Sequence, residues 1–171
     1  PYTTLFRSGL TFLGIIPSIE RGKGGEAQDL YVHAAPQSAV AECLRSVRTN
    51  LLFMSPDKPP RTIMVTSSGP QEGKTTTATS LAITMAVNGS RVLLVDADMR
   101  RPRVHRIFGL ASQTGLSSLI LGEGKLVELA KPTVVENLWV LPCGPIPPNP
   151  AELLHTAAFQ RILAEAGAAF D

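Results

Sequence analysis

Two cysteines, Cys43 and Cys143, are all that this chain of 171 residues carries, and their spacing fits no metal-ligand pattern. They read as free, reduced thiols with a structural role. Charge of one sign is also scarce: 16 Lys and Arg face 14 Asp and Glu, for a net charge of +2. With no dense basic block, composition makes no case for nucleic acid. The short Arg100-Arg101-Pro102-Arg103 cluster is more simply local to its neighbours. Long hydrophobic runs are missing too. No apolar stretch approaches the roughly 20 residues that span a bilayer, so a membrane connection must come from outside this sequence. A hydrophobic fraction of 44% and a charged fraction of 18% suit one globular α/β domain.

What is present centres on Ser67-Ser68-Gly69-Pro70-Gln71-Glu72-Gly73-Lys74-Thr75-Thr76. An apolar run (Ile63, Met64, Val65) precedes it and a helix-like stretch to Val87 follows. Strand, Gly-rich turn, Lys-Thr and helix is the layout of a phosphate-binding loop. Backbone N–H groups and a helix N-terminus converge there on anionic oxygens. ATP is the expected ligand, held by Ser68 through Thr76. Lys74 reaches the β- and γ-phosphates, and the Thr75 hydroxyl ligates Mg²⁺. The loop deviates from GxxxxGK[ST], because Ser68 stands at the first glycine position.

A second signal follows. Val92-Leu93-Leu94-Val95 reads as a buried parallel strand ending in Asp96-Ala97-Asp98-Met99-Arg100. Ligands in open α/β sheets sit at the carboxyl ends of strands. Asp96 and Asp98 share a face if the extended backbone persists, and paired carboxylates suit Mg²⁺ or proton transfer. The alternative is a solvated turn in which Asp98 and Arg100 form a surface ion pair.

Together these residues resemble the bacterial tyrosine kinases, the cytoplasmic domains of exopolysaccharide and capsule chain-length regulators. Four blocks carry the resemblance. They are Leu13-Gly14-Ile15-Ile16-Pro17, the segment Ala41 to Leu51, the nucleotide region Thr66 to Arg103, and Gly144 to Leu154 with its Pro-Pro-Asn-Pro loop. Partition and division-site ATPases share the deviant loop but place a signature lysine early in it. Here Gly69 occupies that position, which argues against them.

The resemblance implies an α/β fold, a mainly parallel sheet with helices on both faces, in the deviant phosphate-loop branch. The alternation of strands and helices implies the same. The resemblance also implies catalytic roles for Lys74, Asp96 and Asp98, with Asp98 as base for the incoming tyrosine, and Mg²⁺ on Thr75, Asp96 and Asp98. The Glu42-x-x-Arg45-x-x-Arg48 pattern is implied at the subunit interface of a ring-like oligomer; the plain alternative is an exposed face with an intrahelical pair. A membrane-spanning partner half, fused or separate, a tyrosine-bearing protein substrate and a place at the cytoplasmic face of the inner membrane complete the picture. An ATPase switch or a nucleotide-binding regulatory module without kinase activity is the competing function.

Residues 1–8 resemble the translation of a sequencing adapter and are set aside as a scar. Residues 9–37 read as a juxtamembrane-like strand (Phe12 to Ile16) and a Gly-rich linker, and residues 38–171 as the kinase domain. Similar proteins continue past Asp171 into a Walker B strand and a tyrosine cluster, so the expectation is a gene fragment, inactive by itself. Tyr31 is the only tyrosine outside the scar.

Helices are expected from about Ser38 to Phe53, near Val104 to Phe108, at Leu116 to Leu121, and from Pro150 on. Strands are expected at Thr62 to Thr66 and Leu138 to Leu141. Asn88-Gly89 closes the helix after the loop. Asn149 and Glu152 suit a capping box. His105 is read as structural.

Overall fold

The computed structural model describes residues 9–18 and 28–171. The expected scar at 1–8 and nearly all of the Gly-rich linker lie outside the described residues. A 3₁₀ turn at Gln28–Leu30 leads into a short helix, α1 (Tyr31–Ala34), and then α2 (Ala39–Phe53). Ser38 starts α2 because its side-chain oxygen accepts the Ala41 N–H at 3.2 Å, satisfying one of the orphan donors of the first turn. Helix α3 (Lys74–Val87) follows the loop and ends at Asn88, where Gly89 supplies the left-handed residue at φ +96°.

Strand β1 (Val92–Val95) pairs in parallel with β3 (Leu138–Leu141), Val92 opposite Leu138 and Val95 opposite Leu141. Between them come α4 (Val104–Ile107), α5 (Leu116–Ile120), α6 (Leu126–Leu129) and a two-residue strand β2 (Lys131–Pro132). Strand β2 lies antiparallel on the far edge of β3, so the sheet order is β1-β3-β2 and the sheet is mixed. Two further helices, α7 (Pro150–Leu154) and α8 (Ala157–Ala169), complete the described elements.

Side-chain alternation along the strands splits the core in two. Val92, Leu94, Leu138 and Val140 pack with α1, α2 and α3 on one face. Leu93, Val95 and Leu141 pack with Met99, Leu116, Leu126 and Ile162 on the other. The expected arrangement of a sheet with helices on both faces is therefore present.

Three expectations need correction. Phe12 to Ile16 forms no strand; this stretch lies along α2, where the Asn50 side-chain amide takes the Leu13 carbonyl at 2.8 Å. Thr62 to Thr66 is irregular, with no ladder partner among the described residues, and Met64 is 85% exposed. The end of the chain lies beside it. The Asp171 N–H donates to the Arg91 carbonyl at 2.8 Å, while the Arg61 guanidinium donates to the Phe170 carbonyl at 2.9 Å. The capping box at α7 does not close: the Asn149 side-chain amide donates to the Glu152 carboxylate, and no cap bond reaches the backbone. Pro150 still opens the helix, since its fixed φ suits the first position.

Candidate nucleotide-binding site

The loop turns into α3 through Gly73, whose φ of +85° places it in the left-handed region that glycine tolerates. This turn aims the first N–H groups of α3 back across the loop, where no intrahelical carbonyl can take them. Lys74 folds over the same space. Its ammonium donates to Ser67 Oγ and to the Gly69 carbonyl, each at 2.9 Å. An ammonium has three donors, so one remains for a phosphate oxygen.

Two donors of this loop already hold an anion. The Glu72 carboxylate accepts the Gly69 N–H at 2.9 Å and the Ser68 hydroxyl at 3.1 Å. The Gly69 N–H, then the neighbouring serine hydroxyls and the Lys74 charge, hold the Glu72 carboxyl below its ordinary range. Pro70 and Gln71 form the exposed tip of the loop, with Gln71 at φ +61°.

Asp96 emerges from the carboxyl end of β1 and is 4% exposed. Its Oδ2 accepts the N–H groups of Arg103 and Val104, each at 3.0 Å, which caps α4 from outside the helix. Burial pushes its carboxyl up. The bonds from Val104, Arg103 and Asp98 pull it back, and the Asp98 charge raises it further. Asp98 is exposed instead, its Oδ1 accepting the Arg101 N–H at 3.0 Å. Extended backbone does not persist past Asp96, because the Met99 N–H closes a tight turn on the Ala97 carbonyl. The two carboxylates therefore meet different surroundings rather than sharing one face. The surface pair of Asp98 with Arg100 does not form either, since Asp98 takes backbone N–H groups.

The chemistry of the donor set fits ATP with Mg²⁺. Thr75 lies in the first turn of α3 and Asp96 at the end of β1. Mg²⁺ commonly takes one or two protein oxygens and completes its shell with phosphate and water. No group of three or more His, Cys, Asp or Glu converges among the described residues.

One residue was missed entirely. Asp29, 1% exposed, accepts the Thr76 hydroxyl at 2.5 Å through Oδ1 and pairs with the Arg103 guanidinium through Oδ2. An isolated Asp in a polar stretch carries no sequence signal; only the packing of the 3₁₀ turn onto α3 reveals it. The proposed interface residues divide. Glu42 and Arg45 form an exposed pair on α2, whereas Arg48 donates to the Thr84 carbonyl of α3 at 3.2 Å. His105 is half-buried and its Nδ1 has no partner among the described residues. Cys143 is buried near the two aspartates.

Comparison with known proteins agrees with this geometry. The AAA domain family matches residues 60–166. The tyrosine-protein kinase YwqD of Bacillus subtilis is 39% identical over 155 residues, which cover 90% of this chain and 65% of that protein. The tyrosine-protein kinase wzc of Salmonella typhimurium is 36% identical, over 80% of this chain and 19% of its own length. The chain thus spans less than two thirds of these curated relatives. Among solved structures, the BceF tyrosine kinase domain superposes with a TM-score of 0.86 at 30% identity, covering 99% of this chain and 72% of that one. A left-handed Gly73 feeding Lys74 into α3, set against Asp96 at the end of β1, is thus the phosphate-loop geometry of an AAA-domain protein, and the chain belongs to the bacterial tyrosine-kinase branch of that family.

Proposed function

We propose that the parent protein of this chain carries out ATP- and Mg²⁺-dependent phosphoryl transfer to tyrosine hydroxyls, chiefly on copies of its own polypeptide, in control of exopolysaccharide or capsule chain length and export. Residues 38–171 are the proposed kinase domain, and residues 9–37 are proposed to lead from a membrane-spanning half, fused or separate. The proposed place of action is the cytoplasmic face of the inner membrane, in a ring-like oligomer joined through Glu42, Arg45 and Arg48. No helix of the described residues is long and apolar enough to cross a membrane.

The observation that carries this reading is the Lys74 ammonium, held over the loop by Ser67 and the Gly69 carbonyl at the N-terminus of α3. Phosphoryl transfer of this kind is mainly positioning and charge stabilisation. Backbone N–H groups of Gly69 to Lys74 cradle the phosphates, with Ser68, Pro70, Gln71 and Glu72 shaping the loop and Thr76 securing the helix start. Lys74 offsets the charge that develops on the transferring group. Thr75 and Asp96 hold Mg²⁺, with Asp98 beside them; bound there, the metal neutralises phosphate charge. Asp98, exposed beyond the strand end, accepts the proton of the incoming tyrosine hydroxyl.

In its natural full-length context the protein, given ATP and Mg²⁺, is expected to acquire phosphotyrosine, detected by mass spectrometry. Asp96→Ala is expected to abolish it. Phosphate release without phosphotyrosine would instead establish an ATPase switch.

A further inference from the structure

The metal site proposed above is shared between two segments: the first turn of α3, which carries Thr75, and the end of β1 with its return turn, which carries Asp96. Helix α3 packs against β1 farther along, through Ala82, Ile83, Ala86 and Leu94. One side chain spans both. Asp29 Oδ1 accepts the hydroxyl of Thr76, the residue after Thr75. Asp29 Oδ2 pairs with the Arg103 guanidinium, and the backbone N–H of Arg103 donates to Asp96 at 3.0 Å. Among the described residues no other side chain is hydrogen-bonded to both segments.

Burial makes this link costly unless it is complete. A carboxylate that is 1% exposed needs partners on both oxygens. Asp29 has them, one from each segment. We propose that Asp29 is a positioning residue: acting through Thr76 and Arg103, it sets the distance between the Thr75 hydroxyl and the Asp96 carboxylate. This rests on the reading that those two groups hold Mg²⁺ with bound nucleotide. Loss of Asp29 then weakens the metal's contribution to nucleotide binding more than it weakens phosphate binding by the loop, whose donors are all local to residues 67–76.

The carboxylate itself is required. An asparagine can keep its oxygen on Arg103 and donate an N–H to the Thr76 hydroxyl, but it is uncharged, so the ion pair with Arg103 is lost and the Thr76 hydroxyl must reverse its role. Outer partners of metal ligands typically change metal affinity by about ten- to a hundredfold, and an effect near the low end is expected here.

The test is a titration of ADP binding to the whole chain by calorimetry, with EDTA and across a Mg²⁺ series. The proteins are the wild type, Asp29→Asn and Arg103→Gln. Arg103→Gln removes the guanidinium and leaves the backbone bond to Asp96, so it keeps the proposal testable if Asp29→Asn folds poorly. Both variants are expected to raise the Mg²⁺ concentration at half-maximal enhancement by about tenfold, while ADP binding in EDTA stays within about twofold. Equal losses with and without Mg²⁺, or wild-type Mg²⁺ dependence in both variants, overturn the positioning role. A wild type whose ADP binding ignores Mg²⁺ overturns the metal-site reading along with it.

Discussion

Arg48 of α2 donates to the Thr84 carbonyl of α3 at 3.2 Å, while Arg45, three residues earlier, turns back to Glu42 on its own helix. Two arginines that look alike in sequence therefore do different work. Truncating Arg48 removes a charged donor that joins two core helices, a loss of about 1.5–3 kcal/mol. Truncating Arg45 breaks an exposed pair worth at most about 1 kcal/mol and an exposed bond to the Pro36 carbonyl. Urea unfolding is expected to show a clear midpoint shift for Arg48→Ala and almost none for Arg45→Ala. Analytical ultracentrifugation is expected to show the reverse emphasis, with Arg45→Ala weakening self-association without destabilising the fold.

Glycines at two positions differ in kind. A Cβ at Gly115 would sit 2.1 Å from the Pro142 carbonyl oxygen and 2.6 Å from the Gly144 nitrogen, both backbone atoms that cannot step aside. Gly115→Ala is expected to cost about 3 kcal/mol or more. At Gly73 a Cβ would meet nothing within 4 Å, and the only penalty is its φ of +85°. Gly73→Ala is expected to cost about 1–2 kcal/mol. Denaturant midpoints of the two variants decide the order.

On the proposed reading of the loop, Glu72 competes with phosphate, since its carboxylate accepts the Gly69 N–H and the Ser68 hydroxyl. Removing that internal anion is expected to tighten ADP binding in EDTA by about threefold in Glu72→Gln. The same bonds give a pH signature. Its carboxyl lies below the ordinary 4.5, so the folded state favours the ionised form. That contribution is present above pH 4.5 and is lost as pH falls through the lowered value. The wild type is accordingly expected to lose slightly more stability than Glu72→Gln as pH falls below 4.5, read by thermal unfolding.

Cys143 gives the opposite sign. Burial first, and then the charges of Asp96 and Asp98, push its thiol up to about 11 from an ordinary 9.0. The folded state favours the protonated thiol, so the contribution is intact below pH 9 and is lost as pH rises through 11. Stability of the wild type is expected to fall more steeply than that of Cys143→Ala over this range. At pH 8 an iodoacetamide label is expected on Cys43 and not on Cys143, because the thiolate is the reactive form.

How far the sequence can be read differs from element to element. Helix α2 announces itself through Ser38 and its apolar stripe, and β1 and β3 through short continuous apolar runs that suit strands covered on both faces. The loop, Lys74 and Asp96 are legible because phosphate chemistry demands those residue types at that spacing. Thr62 to Thr66 has the composition of a strand, yet a strand exists only with a ladder partner, which composition does not report. Asp29 was invisible for a related reason. Its role depends on which surfaces meet after residues 28–34 fold onto α3, and nothing local encodes that. The shared face of Asp96 and Asp98 depended on extended backbone persisting past β1, and the turn that the Met99 N–H closes on the Ala97 carbonyl is not visible in the sequence.

The register that sets Val92 against Leu138 and Val95 against Leu141 joins segments 46 residues apart. Closing a loop of that length costs about 3 kcal/mol of chain entropy before the first ladder bond forms. Helices such as α2 and α3, built from contacts within a few residues, carry no such delay. Refolding from urea is therefore expected to show, by stopped-flow, helical signal ahead of the slower pairing of β1 with β3. Since Asp96 stands at the end of that pairing, competence to bind nucleotide arrives with the slowest step rather than with the early helical signal.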